Sequence, residues 1–267
     1  MRLSVEHVTT YRYDPPVRGV VQSHRLVPTE CLNQTVIGDW VVEVSGGIAG
    51  APFKDGAGDM IRGWSLRGPV QEVQVTVRGV VETRDQAGVL RGLREGIPPL
   101  AWLGETAPTA PNPALRDLAA AGVGVDGLAL AHDLARLVAE AITWTPGCTD
   151  AATTAAEALA LGHGVCQDHA HALICAARLR DLPARYVSGY LFAEGASGEA
   201  AHAWAEVWIE GLGWVGFDPA NRCCPDERYI RLGCGMDAEA AAPIRGVARG
   251  VAAESMQIAV AVGQRQQ

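Results

Sequence analysis

Hydrophobic residues recur along this chain with two different periods, and the change of period divides it. Over residues 1–85 the spacing is close to two, in short runs bounded by turn residues, which predicts β structure. Val5, Val8, Tyr11 and Tyr13 mark a first strand that stops at Pro15-Pro16, and Val17 to Val27 reads as its hairpin partner. Val36 to Val44 gives a third strand. Glycine-rich stretches at 46–50 and 56–58 are loops, and Met60 to Trp64 opens another short strand. Val73, Val75, Val77, Gly79 and Val81 then line one face of a long strand. Several short strands joined by turn signals predict a β-sandwich-like lobe.

From 86 to 126 prolines 98, 99, 108, 111 and 113 punctuate a connecting segment, with one short helix near 114–121. Beyond it the period becomes helical. Leu128, Leu130, Leu134, Leu137, Val138 and Ile142 form one face of an amphipathic helix that stops before Pro146-Gly147. Thr154 and Glu157 are spaced as a capping box, and Gly162 ends the short helix they open. Cys166 to Arg180, rich in alanine and leucine, predicts a helix buried on several sides. Strands follow at Arg185 to Phe192, at 202–209 and at 213–218, with a loop at Glu194 to Gly198 and a turn at Gly211 to Gly213. An irregular, polar segment comes after Asp218, and Met256 to Val262 reads as a closing strand. The class is α+β: a β lobe over 1–85, a connector over 86–126, and over 127–267 a core of helices packed on an antiparallel sheet, with a C-terminal strand.

Composition narrows the partners. A net charge of −8 argues against nucleic acid or an anionic membrane surface. Lys54 is the sole lysine, which leaves almost no amine acceptor within the chain itself. The start, Met1 to His7, lacks the apolar run of a signal peptide, and no apolar stretch is long enough for a membrane span, so a soluble, cytoplasmic protein is expected. Seven cysteines follow no framework spacing and are expected as free thiols or small buried hydrophobes. Adjacent Cys223 and Cys224 would make a poor structural staple.

The chemistry concentrates in Gly162 to His171. Two glycines there deliver Cys166 to the start of a helix, where backbone N–H groups and the helix dipole favour a thiolate. His202 on one strand and Asp218 at the end of another complete the residue types of a thiol-based centre. In that centre the histidine pairs with the thiol, the aspartate fixes its tautomer, and the Cys166 N–H donates to a developing oxyanion. Taken singly, Cys166 reads equally as packing, His202 as a bonded strand histidine and Asp218 before Pro219 as a turn residue. Their succession in one stretch, each flanked by glycine or aromatic residues, favours the centre.

Four blocks carry a family resemblance. Gly-Val-Cys-Gln-Asp (164–168), Pro-Ala-Arg-Tyr-Val-Ser-Gly-Tyr (183–190), His-Ala-Trp-Ala-Glu-Val-Trp (202–208) and Gly-Trp-Val-Gly-Phe-Asp-Pro-Ala-Asn (213–221) together resemble the bacterial transglutaminase-like superfamily. The segment from Trp144 to Asp150 and the Thr-Thr-Ala-Ala-Glu run fit it too. So does the first lobe, with Tyr11-Arg-Tyr13 and Ser23-His24-Arg25, whose role is unassigned. The resemblance implies a papain-like core with a Cys-His-Asp triad at Cys166, His202 and Asp218, and no metal or cofactor is expected. One residue departs: three after the cysteine the family's usual residue is aromatic, and here it is His169. Lying on the face of Cys166, it is expected to compete for the thiolate or reshape the pocket. Together His163, Cys166, His169, His171 and Cys175 are dense in potential ligands, but their spacing matches no zinc pattern. Gln167 and Asp168 are expected to order the helix start. Trp144, Tyr190 and Trp204 are expected to wall the acyl pocket, or else to pack in the core.

The implied reaction is acyl transfer on a peptide, protein or carboxamide through a Cys166 thioester. Hydrolysis by a cysteine peptidase or amidase leads, because prokaryotic members of the superfamily are often proteases. Transfer to an amine, as in a transglutaminase proper, uses the same residues. A non-enzymatic peptide-binding module on the same fold is the third reading.

Overall fold

The computed structural model describes residues 1–193 and 200–264. The predicted loop at Glu194 to Gly198 lies outside the described residues. In chain order the first lobe contains β1 (Arg2–His24), β2 (Gln34–Val44), β3 (Ile48–Lys54) and β4 (Met60–Thr83). After a connector come helices α1 (Pro113–Ala121) and α2 (Gly127–Ala141), β5 (Thr143–Trp144), α3 (Ala155–Leu161), β6 (His163–Gly164) and α4 (Cys166–Arg178). The core sheet is supplied by β7 (Ala184–Leu191), β8 (Ala201–Ile209), β9 (Gly213–Phe217) and β10 (Tyr229–Gly235). The chain closes with β11 (Ile244–Ala248) and β12 (Ala253–Gln264).

The first lobe is one six-stranded antiparallel sheet, not a set of short hairpins. β1 and β4 run side by side from Arg2↔Glu82 to His24↔Arg62. The expected break at Pro15-Pro16 and the hairpin partner at Val17 are therefore corrected: one 23-residue strand passes straight through. Proline supplies no N–H to a ladder, so it survives in a strand only where the ladder is interrupted. Here the β1–β4 register slips between Arg12 and Val17 and again before Gly19. The short strand from Met60 and the long one ending at Val81 likewise prove to be one element, β4. Leu3 and Val5 from one half, Val20 and Leu66 from the other, and Val73, Val75 and Val77 share a single core. The lobe is thus built on one sheet with long, bulged strands rather than on several short ones.

The closing strand forms as expected but joins the first lobe's sheet. β12 pairs with β1 from Leu3↔Gln264 to Asp14↔Ala253, and β11 pairs with its far half from Val20 to His24. Both cover the edge of β1 that β4 leaves open.

In the second unit α4 is the centre. Residues Asp168 to Arg178 are buried, packed by α1, α2 and α3 on one side and by the sheet on the other. The sheet order is β10-β7-β8-β9, all antiparallel. β10 corrects a second expectation, since the segment after Asp218 had read as irregular. Its Ile230 and Leu232 enter the first lobe's core beside Tyr190. Between them Arg231 binds Glu206 on β8 at 2.9 Å, Asp59 at 2.8 Å and Thr29 at 2.7 Å. Glu206 also accepts from fully buried Arg185 at 2.7 Å, and Arg185 reaches Glu95 of the connector at 2.6 Å. Each buried charge in this seam faces an opposite one, as a low-dielectric interior requires. All seven cysteines are free. No helix among the described residues is long and apolar enough to cross a membrane.

Candidate active site

Two glycines and an aspartate set where α4 begins. The Thr154 side chain accepts from the Glu157 N–H at 3.2 Å and Glu157 accepts from the Thr154 N–H at 2.8 Å, fixing the start of α3 as predicted. Gly162 ends it with φ 71°, a left-handed conformation that favours glycine. At Gly164 a Cβ would stand 2.7 Å from the Asp168 Cβ, so the glycine is what admits that aspartate. Asp168 Oδ2 accepts from the Val165 N–H and from the Thr149 hydroxyl, both at 2.7 Å. This expectation is met by the contacts: Asp168 ties down the first turn of the helix that starts at Cys166. Gln167 reaches only the carbonyls of Asp150 and Ala151, at 3.4 and 3.5 Å.

The sheet brings the other two residues to that turn. His202 sits near the start of β8 opposite Gly189 of β7, and Asp218 follows the end of β9. Asp218 Oδ2 lies 2.6 Å from His202 Nε2. The same oxygen accepts from Asn221 Nδ2 and from the Tyr229 hydroxyl, each at 2.8 Å, while Oδ1 accepts from the Asn221 N–H at 3.2 Å. Asn221 Nδ2 lies 3.3 Å from the same Nε2, and Cys166 is the other side chain that bears on the charge of the ring. The Trp204 ring lies 6.4 Å from the imidazole and 25° from parallel to it.

Electrostatics follow from these contacts. Burial alone would lower the pKa of His202, but its hydrogen bonds to Asp218 and Cys166 outweigh that and lift it to about 9. Burial would raise the Asp218 carboxyl, yet bonds from His202, Asn221 and Tyr229 hold it below its ordinary value. At neutral pH the imidazole is therefore a cation beside the Asp218 carboxylate.

Cys166 and His202 open onto a cleft of about 410 Å³ between the two units. One wall is core: Gln167, Tyr186, Ser188 and Tyr190. The other comes from the first lobe's sheet, with His7, Thr9 and Tyr11 on β1 and Met256 and Ile258 on β12. Tyr190 lines the cleft, its hydroxyl 2.7 Å from His7 Nδ1. Trp144 and Trp204 do not. Trp144 is half-exposed on β5, and Trp204 is buried behind His202 against Tyr229. His169 does not compete for the thiol either: its ring points into the core, with Nδ1 and Nε2 each 2.9 Å from a carbonyl, of Val165 and of Ile142. Helical spacing placed it on the right face, but the two carbonyls claim the ring. His163 is bonded to Thr145 and His171 accepts from the Ala238 N–H, so the suspected ligand cluster diverges. Among the described residues no three His, Cys, Asp or Glu side chains converge as a metal site. Asn221, which closes the 213–221 block, and Tyr229, in a segment whose sequence reads as irregular, carry no signal of their own for this role.

The comparisons with known proteins agree with this layout. The model for the transglutaminase-like superfamily matches residues 121–219, and that for the bacterial transglutaminase-like N-terminal region matches residues 3–82. An uncharacterized protein of Mycobacterium leprae is 31% identical over 279 residues, covering 98% of each chain. An uncharacterized protein of Mycobacterium tuberculosis is 38% identical over 127 residues, 43% of this chain and 40% of that one. Among solved structures, a candidate cysteine protease from Cytophaga hutchinsonii shares the fold with a TM-score of 0.75 at 20% identity, over 100% of this chain and 92% of its own.

Proposed function

This chain belongs to the transglutaminase-like superfamily, and on that premise we propose that it is a thiol-dependent acyl-transfer enzyme in which Cys166, His202 and Asp218 act as a triad. The observation that carries the reading is His202 itself, held 2.6 Å from Asp218, raised in pKa by Asp218 and Cys166 together, and lining the same cleft as Cys166. In the first half-reaction the Cys166 sulfur attacks the carbonyl carbon of an amide. The carbonyl π electrons move to oxygen, which the Cys166 N–H at the free end of α4 can receive. As the C–N bond breaks, the imidazolium of His202 gives its proton to the departing amine and a thioester remains on Cys166. In the second, water gives a proton to His202 and attacks the thioester, releasing the acid and restoring the thiolate. Asp218 keeps the ring oriented throughout and stabilises it whenever it carries the proton.

Hydrolysis is the preferred outcome, supported by the name given to the Cytophaga structure with the same fold. An amine in place of water would make the reaction a transglutamination with the same residues. Incubation with a peptide mixture plus a small trapping amine separates the two. Free acid as the main product supports hydrolysis, and a predominance of amine adduct moves the assignment to amine transfer.

A further inference from the structure

The cleft beside Cys166 is unusual for what it lacks. Among the described residues that line it, none is Asp, Glu, Lys or Arg. This holds on a chain with 52 charged side chains, 22 basic and 30 acidic. The polar groups of its walls are largely spoken for. His7 is bonded through Nδ1 to the Tyr190 hydroxyl and through Nε2 to Thr9, both at 2.7 Å, and Ser188 donates to the Ala241 carbonyl at 2.8 Å. Burial pushes His7 down to about 4, so it too is neutral at physiological pH. Meanwhile apolar side chains stand uncovered at the mouth. Met256 and Ile258 are 54% and 51% exposed, on one face of β12 by the two-residue period of a strand. They sit opposite Tyr11 and Thr9 of β1, which face the same cleft.

We propose that this ledge of Tyr11, Met256 and Ile258 selects the acyl donor, and that the donor carries an uncharged, apolar side chain next to the attacked carbonyl. The inference rests on the acyl-transfer reading of Cys166 and gives that site its substrate class. A charged side chain entering the cleft sheds water and, among the described lining residues, meets no counter-charge apart from Cys166 and His202, which the reaction already uses; the Glu254 carboxylate that acts on Tyr11 is not part of the lining. An apolar one covers Met256 and Ile258, removing from water a surface that the fold leaves bare. Specificity is thus assigned to the first lobe while the chemistry stays in the core.

The test uses three peptidyl chloromethyl ketones that differ only in the residue bearing the ketone: leucine, aspartate or lysine. Each alkylates a reactive thiol with loss of chloride, and intact-mass analysis with peptide mapping gives the labelling rate of Cys166. The leucine probe should label at least about tenfold faster than either charged one, about 1.4 kcal/mol of discrimination. Ile258→Lys should cut the leucine-to-aspartate ratio about tenfold or more by supplying the missing counter-charge. Met256→Lys reads the same way if Ile258→Lys does not accumulate as folded protein. Cys166 labelled equally fast by all three probes, or a ratio unmoved by both lysines, overturns the inference and leaves the acyl-transfer reading standing. Cys166 untouched by every probe overturns both.

Discussion

Burial works against a charged imidazole at position 202, yet the ring is held as a cation because Asp218 and Cys166 flank it. Below a pKa of about 9 the ring can protonate a departing amine, and above it that proton is gone, so turnover should fall as pH rises through about 9. Asp218→Asn removes the carboxylate charge, and loss of one close counter-charge moves a pKa by roughly 1–3 pH units, here downward. The alkaline limb of the pH–rate profile should then drop to between about 6 and 8. A limb that stays near its wild-type position would show that Asp218 does not hold the charge. At this scale the sequence was informative about reactive groups and poor on their supports. A cysteine, histidine and aspartate announce themselves by type and neighbours. Tyr229 does not, since its hydroxyl meets Asp218 only because β10 folds back beside β7. His169 shows the converse: helical spacing gave its face correctly, but which acceptors claim a ring depends on carbonyls, and Ile142 is 27 residues away.

The elements that deliver Cys166 were mostly legible because their signals are local. The capping box, the left-handed glycine and the amphipathic period of α2 each act within a few residues. Asp168 is the hinge of the arrangement, accepting from Val165 and Thr149 at the turn that precedes Cys166. Asp168→Ala frees that turn and should cost about 0.5–2 kcal/mol, the range for a lost N-terminal cap, read as a lower midpoint in urea. It should also reduce turnover more than the fraction unfolded explains, because the fraying end carries Cys166. Turnover that tracks stability alone would make Asp168 purely structural. Strand limits were less legible than helix limits. Pro15-Pro16 is a strong stop signal in isolation, and only the ladder shift against β4 shows why β1 continues through it. β10 is hard to read because its seven residues include two glycines and a charged Arg231, and nothing near it in the chain reveals that Asp59 and Glu206 wait to pair with that charge.

At the scale of the whole molecule the two units are joined by sheet, core and charge together. β11 and β12 return from the core to close the edge of β1, Ile230 and Leu232 enter the first lobe's core, and Arg231 spans the boundary. Such long-range joins leave little trace in local pattern, which is why the closing strand was legible while its partner was not. Arg231→Met keeps the volume but leaves fully buried Asp59 without its cation. Breaking a buried pair on one side costs roughly 3–5 kcal/mol, so the variant should unfold at a markedly lower temperature. A loss below about 1 kcal/mol would mean that apolar packing alone holds the boundary, since that is the worth of an exposed pair. The cleft exists only because this boundary is fixed, one wall from each side. The proposed acyl-enzyme is directly testable. When the protein is mixed with peptide donors and quenched in acid, intact-mass and peptide analysis should find an acyl group on Cys166. The adduct should be removed by hydroxylamine, as a thioester is, and be missing from Cys166→Ala. Product released by the wild-type protein at an undiminished rate in Cys166→Ala, or an acyl group carried on any other residue, would contradict a thioester mechanism at this site.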